Sequence, residues 1–390
     1  MRKLANNRIK LDEYVERVIK GELNLHELDK HLGNSNLAAL VRRLAIERIT
    51  GVSLPAIAST IIDFEEIIGK SIENPIGAIQ IPLGVVGPLL INGTYAKGKY
   101  YIPLATTRSE LVSKINNAVT ALTLSGGVRT EVLFDKIAIT ISIPMLNNEI
   151  VLKQTKYLFE HIVELEEIIK ANIRNAKLLE ASNLILKNNI LLYLTFTSST
   201  TIEVCMLSNI VDSLRNYVVK ELKGGTRSNL EIDLLVSYEA TVAAEALLSS
   251  KVLDQLLKVN AEKLHEANIL RNTLKNDKIH SPCNLYRIGI LTALFLATGQ
   301  NIERVVDSLS YTRTEIRNRE DLYISVTLPN LEIGVFDKGI NLPTQREVLR
   351  ILGIIENKCG PGINVRKFAE IIAAALLAEE LSLLVLLVRN

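Results

Sequence analysis

Residues 73–107 read ENPIGAIQIPLGVVGPLLINGTYAKGKYYIPLATT, and this stretch decides the fold. Glycine and proline punctuate its short apolar runs, a pattern typical of strands joined by tight turns. Asn92-Gly93 lies between two apolar runs and predicts a hairpin turn. Helical periodicity on either side, over residues 9–48 and 109–124, predicts helices that flank this β structure.

The next part of the chain predicts a self-contained α+β unit. The strand-like run KIAITISIP is followed by a helical stretch, two strand-like runs, a second helical stretch and the run IDLLVSY. This order of strand, helix, strand, strand, helix, strand is that of a ferredoxin-like unit. Further on, we predict helices over residues 241–258, 284–299, 343–355 and 365–388, with one strand at LYISVTLP.

Composition excludes several classes of protein. The 390 residues are 48% hydrophobic and 23% charged with a net charge of +2, which argues against a disordered or nucleic-acid-binding chain. Cys205, Cys283 and Cys359 lie far apart, so we expect no disulfide framework and no structural metal site. That cysteine usage and the absence of an apolar N-terminal run predict a cytoplasmic protein.

The apolar run over residues 368–388 is the best candidate for a membrane span, because the mean hydropathy of the chain is +0.21. Glu370, Glu379 and Glu380 interrupt this run, and a carboxylate is expensive inside lipid. We therefore predict no membrane span, and expect a buried helix at a subunit interface.

Several motifs resemble the catalytic domain of HMG-CoA reductase. ENPIG at 73–77 is similar to ENxxG, PLGVVGPL at 82–89 to PxGVAGPL, and LATT at 104–107 to the start of MATTEG. Later matches follow in the same order: LTA with ATGQ at 291–300, ISVTLP at 324–329, GPGIN at 360–364 and ELSL at 380–383.

The resemblance implies an α+β fold with a large domain and an inserted ferredoxin-like small domain that binds NADP in the family. It divides the chain into three parts. Residues 1–50 form a helical arm, residues 51–139 and 223–390 form the large domain, and residues 140–222 form the insert. The family also builds its sites across a homodimer, with ENxxG near the contact. Glu73, Asn74 and Gly77 are therefore expected at a dimer interface.

The family reduces a thioester with hydride from NADPH, and it uses a glutamate, a lysine, an aspartate and a C-terminal histidine. Here the glutamate position holds Arg108, the lysine position falls near Arg227, and the aspartate position holds Asn301. The printed sequence offers no counterpart of the histidine. A guanidinium does not release protons at usable pH, and an amide cannot act as a carboxylate.

The family's binding motifs are changed as well. Residues 199–205 replace the cofactor loop DAMGMN, and residues 334–340 replace the glycine-rich GTVGGGT. Tyr286 stands for the histidine of NAH, Lys114 for a serine, and Ile139 for an arginine. The resemblance therefore implies no cofactor, or NADPH if the chain is active.

The changed positions make the former active site more positive, because Arg108 replaces an acid, Asn301 removes one and Lys114 replaces a serine, while Arg227 keeps the charge of the lysine. One hypothesis is a cleft for a carboxylate, a phosphate or a CoA-like ligand, formed by Arg108, Lys114, Arg227, Tyr286 and Asn301. The alternative is that Arg108 and Lys114 form ion pairs with Glu110, Glu131 or Glu203, or that their side chains point to solvent.

Two functions remain open from the sequence. The chain is either a degenerate relative, a pseudoenzyme acting as a binding or regulatory dimeric subunit in mevalonate and isoprenoid metabolism, or an active NADPH-dependent enzyme. The degenerate form would pair with itself or with a true HMG-CoA reductase. The active form would reduce HMG-CoA or act on a related CoA thioester.

Overall fold

The structure is a computed structural model that describes residues 2–69, 71–108, 110–144, 161–172, 176–186, 189–198, 209–210, 212–214, 216–217, 233–274, 282–305, 308, 310–334, 342–354 and 363–389. Its α-helices are α1 (Arg2–Ile19), α2 (Leu28–Leu32), α3 (Ser35–Thr50), α4 (Pro55–Ala58), α5 (Phe64–Ile67), α6 (Leu111–Leu124), α7 (Ile162–Asn172), α8 (Ser250–Val252), α9 (Ala261–Leu274), α10 (Pro282–Thr298), α11 (Pro343–Ile351) and α12 (Ile363–Arg389). Short 3₁₀ turns span Leu25–Glu27 and Ile302–Val305, and a π-helical turn spans Leu253–Leu257. The strands are β1 (Leu83–Asn92), β2 (Lys97–Ala105), β3 (Arg129–Pro144), β4 (Ala176–Leu186), β5 (Asn189–Ser198), β6 (Asp233–Leu248), β7 (Tyr311–Arg317) and β8 (Asp321–Ile333).

The N-terminal helices form a small apolar core of their own, built around Val15, Leu28 and Val41. Arg42 on α3 is almost fully buried, donates from Nε to the Leu25 carbonyl over 2.9 Å, and pairs with Asp29 on α2. These bonds fix α3 against the segment that precedes it. The predicted helical character of the arm is therefore confirmed.

The decisive stretch folds into an antiparallel hairpin of β1 and β2, with the predicted turn directly after Asn92. The carboxylate of Glu370 on α12 accepts the backbone N–H groups of Thr94, Tyr95 and Ala96 over 3.1, 2.9 and 2.6 Å. Burial raises the pKa of Glu370, and these N–H donors oppose that rise. The turn is thus held against the core by one buried carboxylate.

The other six strands form one sheet in the order β4-β5-β3-β6-β8-β7, and every neighbouring pair is antiparallel. The order β4-β5-β3-β6 is the one that a ferredoxin-like unit produces, so the predicted α+β fold with a ferredoxin-like insert is confirmed. Both β3 and β6 continue from this unit into the large-domain part of the sheet. The proposed boundaries at 139/140 and 222/223 stay a prediction.

One predicted helix is wrong. Residues 242–248 belong to β6, whereas we predicted a helix over 241–258. Alternate residues Val242, Ala244, Ala246 and Leu248 are buried, which is the period of a strand. Alanine and leucine favour a helix locally, but pairing with β3 and β8 on both sides overrides that preference.

Helix α12 lies in the centre of the large core. The segment Asn364–Arg389 is long and apolar enough to cross a membrane, with a hydropathy of 2.4, yet 78% of its most apolar part is buried inside the protein. It packs on β3, β6, β8, α6, α9 and α10. The expected burial is confirmed, but the chain's own sheet and helices provide the cover that was expected from a partner subunit.

Candidate functional site

The start of α6 carries two of the candidate cleft residues. Arg108 is exposed just before the helix, and it shares a small cavity of about 30 Å³ with Lys114 one turn into the helix. Lys114 forms an ion pair with Glu110, four residues earlier. The hydrogen bond from Lys114, followed by the charge of Lys114, lowers the pKa of Glu110. Lys114 therefore forms an ion pair with a glutamate, which is the alternative to an anion-binding role, and its charge is balanced at the start of α6.

Glu379 on α12 lies close to Arg108, although it was not among the residues predicted for the cleft. A side-chain carbon added at Gly289 on α10 would lie 3.1 Å from Glu379 Oε1 and 3.8 Å from Arg108 Nη1. Glu379 Oε1 also accepts the backbone N–H of Ile290 over 3.1 Å. Arg108 thus lies beside a nearly buried carboxylate that the pairing alternative did not name, and its charge also acts on Glu110, which that alternative did name. The sequence contained one signal for the importance of Glu379, because this residue is a carboxylate within the apolar run over residues 368–388.

Asn301 begins the 3₁₀ turn Ile302–Val305 and is exposed. Its Oδ1 accepts the backbone N–H of Glu303 over 3.1 Å, while its Nδ2 lies 3.5 Å from Glu303 Oε2. An asparagine at this position caps the turn with its amide oxygen, a common role for this residue type. The side chain that replaces the family's aspartate therefore has a local structural role.

Gln300, the residue before Asn301, binds the start of the stretch that replaces the family's glycine-rich loop. Gln300 donates from Nε2 to the Gly334 carbonyl over 2.7 Å and accepts the Gly334 N–H over 2.8 Å. Gly334 is the described residue of the stretch that replaces the family's glycine-rich loop, and both its backbone polar groups are satisfied within the protein. The Gly334 N–H is therefore already bonded within the protein, and residues 335–340 of the same stretch lie outside the described residues.

The remaining candidates are only partly described. Arg227 lies outside the described residues, as do Cys205, residues 335–340 and the loop at 199–205. Tyr286 belongs to α10, but its side chain is outside the description. The structure therefore brings Arg108 and Lys114 together, and it leaves the five-residue cleft untested as a whole. Across the described ranges, no group of three or more His, Cys, Asp or Glu is arranged to hold a metal ion.

The ENPIG motif is tied to the helical arm. Asn74 has a positive φ of 50°, and its Nδ2 lies 2.7 Å from Nδ1 of His26. Arg43 on α3 donates to the Ile76 carbonyl over 3.2 Å. A Cβ at Gly77 would come within 2.2 Å of the Ile57 carbonyl oxygen, so this position needs glycine. These contacts give Asn74 and Gly77 roles within one chain, and the dimer contact with exposed Glu73 stays a prediction.

Directly after this motif, an apolar groove opens on the surface, with a volume of about 480 Å³. Ile79 and Ile61 both line it, and they are 85% and 75% exposed. Ala297 and Val348 form part of its lining. Two exposed isoleucines in one groove indicate a surface that is suited to contact with another apolar surface.

Comparison with known proteins gives consistent matches. A family model described as hydroxymethylglutaryl-coenzyme A reductase matches residues 38–390. The 3-hydroxy-3-methylglutaryl-coenzyme A reductase of Aeropyrum pernix is 39% identical, over 96% of this chain and 92% of that protein. The enzyme of the same name from Pyrococcus abyssi is 37% identical, over 96% of this chain and 95% of that protein.

The solved structures agree with the fold. The class II 3-hydroxy-3-methylglutaryl-CoA reductase from Streptococcus pneumoniae, bound to NADPH in open conformations, superimposes with a TM-score of 0.54 and 18% identity. The match covers 82% of this chain and 78% of that chain. The names of the relatives favour the active-enzyme alternative over loss of activity.

Proposed function

The chain belongs to the hydroxymethylglutaryl-coenzyme A reductase family, and we propose that it is a dimeric binding or regulatory subunit of mevalonate metabolism that lacks reductase activity. One observation carries this proposal. The positions of two proton-handling acids hold Arg108 and Asn301. Arg108 lies beside Glu379, and Asn301 caps its own turn.

The chemistry of these two side chains supports the loss of turnover. Reduction of a thioester by hydride leaves negative charge on oxygen and requires protons, which carboxylic acids supply when their pKa values are tuned to the working pH. Neither a guanidinium nor a carboxamide exchanges a proton in that range. Loss of a single general acid or base costs about 100- to 10,000-fold in rate, and both positions serve one reaction.

The second candidate is an active NADPH-dependent reductase of HMG-CoA or of a related CoA thioester. It is supported by the names of relatives that are 39% and 37% identical over nearly the whole chain. Overall identity of this kind reflects the scaffold, which a catalytic and a non-catalytic descendant share equally. An active chain would need Arg227 and the segments 199–205 and 335–340 to supply what Arg108 and Asn301 lack.

The partner that we propose is a second copy of the chain, with a mixed dimer with an active reductase as the alternative. The exposed apolar groove beside ENPIG supports contact with another subunit. Co-expression with differently tagged copies tests this choice. Recovery of self-complexes supports the homodimer, while capture of an active reductase alone overturns it in favour of the mixed form.

The decisive experiment is a turnover assay of the purified full chain with HMG-CoA and NADPH. The Aeropyrum pernix relative serves as the positive control, and heat-treated chain serves as the blank. We expect NADPH oxidation at the level of the blank for the wild type. Oxidation that exceeds the blank and yields mevalonate would refute the proposal and establish the second candidate.

The variant Asn301→Asp refines the result, because it returns a carboxylate to an exposed position without burying a charge. Since Arg108 remains unchanged, we expect this variant to stay inactive as well. Calorimetric titration with CoA and with NADPH then tests binding separately from turnover. Binding of either ligand supports a binding subunit, and binding of neither leaves only a regulatory contact between subunits as its function.

A further inference from the structure

Strands β3 and β6 connect the ferredoxin-like unit to the rest of the chain, and each has an irregularity in its pairing. The register shifts between Val132 and Phe134 on β3, and between Ala240 and Val242 where β6 meets β8. A bulge leaves a residue unpaired and bends the strand, so this is where the unit would hinge. Whether the unit bends at the bulge depends on the contacts that the neighbouring residues make.

On the buried face of the sheet, one polar cluster lies beside the bulge. Asp135 Oδ2 accepts hydrogen bonds from Arg366 Nε on α12 and from the Tyr238 hydroxyl on β6, both over 2.8 Å. Arg366 also donates from Nη1 to the Tyr95 hydroxyl in the hairpin turn over 3.2 Å. Burial, followed by the charge of Asp135, raises the pKa of Tyr238, which keeps its hydroxyl proton available for donation. This cluster joins β3, β6, α12 and the hairpin.

On the open face, a second cluster lies one residue away along each strand. Glu239 on β6 pairs with Lys136 on β3 over 2.9 Å, and its other oxygen accepts the Tyr193 hydroxyl on β5 over 3.1 Å. Glu239 is only 7% exposed, although Glu245 and Leu247 on the same face of β6 are open to solvent or half-buried. A buried carboxylate of this kind is stable only while its partners remain in place.

The second cluster extends to the turn that carries Asn301. Glu239 is opposite Glu332 on β8, and Glu332 pairs with Arg304 of the 3₁₀ turn over 3.0 Å. Two like charges directly opposite each other across a ladder repel, so Lys136 and Arg304 are each needed to balance one of them. Burial, together with Glu239 and more distant carboxylates, raises the pKa of Tyr193 to about 12.

We propose that these two clusters pin the ferredoxin-like unit to the large domain, so that β5 and the turn at Asn301 move as one body. The clusters lie at adjacent residues, Asp135 with Lys136 and Tyr238 with Glu239, on opposite faces of the same strand pair. Bending at the bulge in either direction stretches one of them. The inference is independent of the proposed function, because it holds for an active and an inactive chain alike.

Hydrogen–deuterium exchange of the full chain tests this arrangement. Tyr193→Phe removes one hydrogen bond from the open-face cluster, and Arg366→Lys keeps the charge of the buried-face cluster but removes the planar fork that reaches two partners. Tyr311→Phe is the matched control, because Tyr311 is 69% exposed on β7. All three substitutions are conservative, so a folded variant is expected in each case.

Each single variant is expected to raise exchange of the amides at 132–134 and 240–242 about fivefold, which corresponds to the loss of one ordinary hydrogen bond. Tyr193→Phe should also raise exchange at 302–305, although it lies on a different strand. Because bending in each direction stretches a different cluster, the double variant should raise exchange at the bulge above either single variant.

Three results would overturn the proposal. The first is exchange that changes only beside the substituted residue and leaves the bulge amides as in the wild type. The second is a double variant whose exchange at the bulge is no greater than that of the larger single variant. The third is an equal increase in the Tyr311→Phe control.

Discussion

The buried ion pair between Arg271 on α9 and Glu380 on α12 gives the sharpest stability prediction. Arg271 is 2% exposed and Glu380 is 0% exposed, and Arg271 Nη2 lies 2.7 Å from Glu380 Oε2. Asn268 Oδ1 accepts a bond from the same nitrogen over 3.0 Å, and the Thr312 hydroxyl donates to the same Glu380 oxygen. Nε and Nη1 of Arg271 are buried without a hydrogen-bond partner among the described residues.

The perturbation is Arg271→Met, which keeps an unbranched apolar side chain and removes the charged guanidinium. Glu380 would then be a buried carboxylate without its cation. Breaking a buried pair in this way costs about 3–5 kcal/mol. Replacing both partners, in Arg271→Met/Glu380→Leu, removes both charges and leaves no carboxylate at position 380. We therefore expect the double variant to recover most of the lost free energy of unfolding, to within about 1–2 kcal/mol of the wild type.

The assay is urea denaturation followed by circular dichroism, at one fixed protein concentration for every variant. The matched control is Arg129→Met. Arg129 and Glu245 are 3.7 Å apart and their side chains are 72% and 40% exposed, so its loss should cost about 0–1 kcal/mol. The reasoning is refuted if Arg271→Met costs no more than Arg129→Met, or if the double variant is as unstable as Arg271→Met alone.

Two further predictions concern the site region. Gly77→Ala should destabilise the fold by more than Gly98→Ala in thermal denaturation: both glycines have positive φ, but a Cβ at Gly77 meets the Ile57 carbonyl at 2.2 Å and one at Gly98 meets nothing within 4 Å. Equal losses would show that φ alone sets the cost. Lys114→Gln should raise the pKa of Glu110 in ¹³C NMR titration, because Lys114 holds that pKa down. A lowered folded-state pKa contributes stability at neutral pH that is lost on acidification, so this variant should also flatten the acid limb of the stability profile, and an unchanged Glu110 titration would contradict the ion pair.

Short-range patterns in the sequence predicted local structure well. The hairpin after Asn92 and the end of α6 at Leu124 could be predicted, because turns and helix ends depend on a few adjacent residues. The ferredoxin-like order was readable because strand and helix patterns alternate in a fixed sequence. The strand over 242–248 was not, because its alternation of alanines is weak and only the flanking strands decide between helix and sheet.

Only part of the candidate site could be predicted from the sequence. The sequence identified Arg108, Lys114 and Asn301 as changed positions, and it offered pairing as an alternative to an anion cleft. Lys114 with Glu110 was predictable, since residues four apart meet on one face of a helix. Glu379 beside Arg108 was not, because α10 and α12 bring that contact together from distant parts of the chain.

What the sequence determined by itself is the family, the order of secondary structure and the chemical identity of the altered site residues, because each of these depends on residue type and spacing alone. The tertiary structure decided how charges are balanced. It pairs Glu380 with Arg271, sets Glu370 against the hairpin turn, and packs α12 into the chain's own core. A buried charge is stable only beside partners that packing brings to it, and spacing in the sequence does not specify those partners.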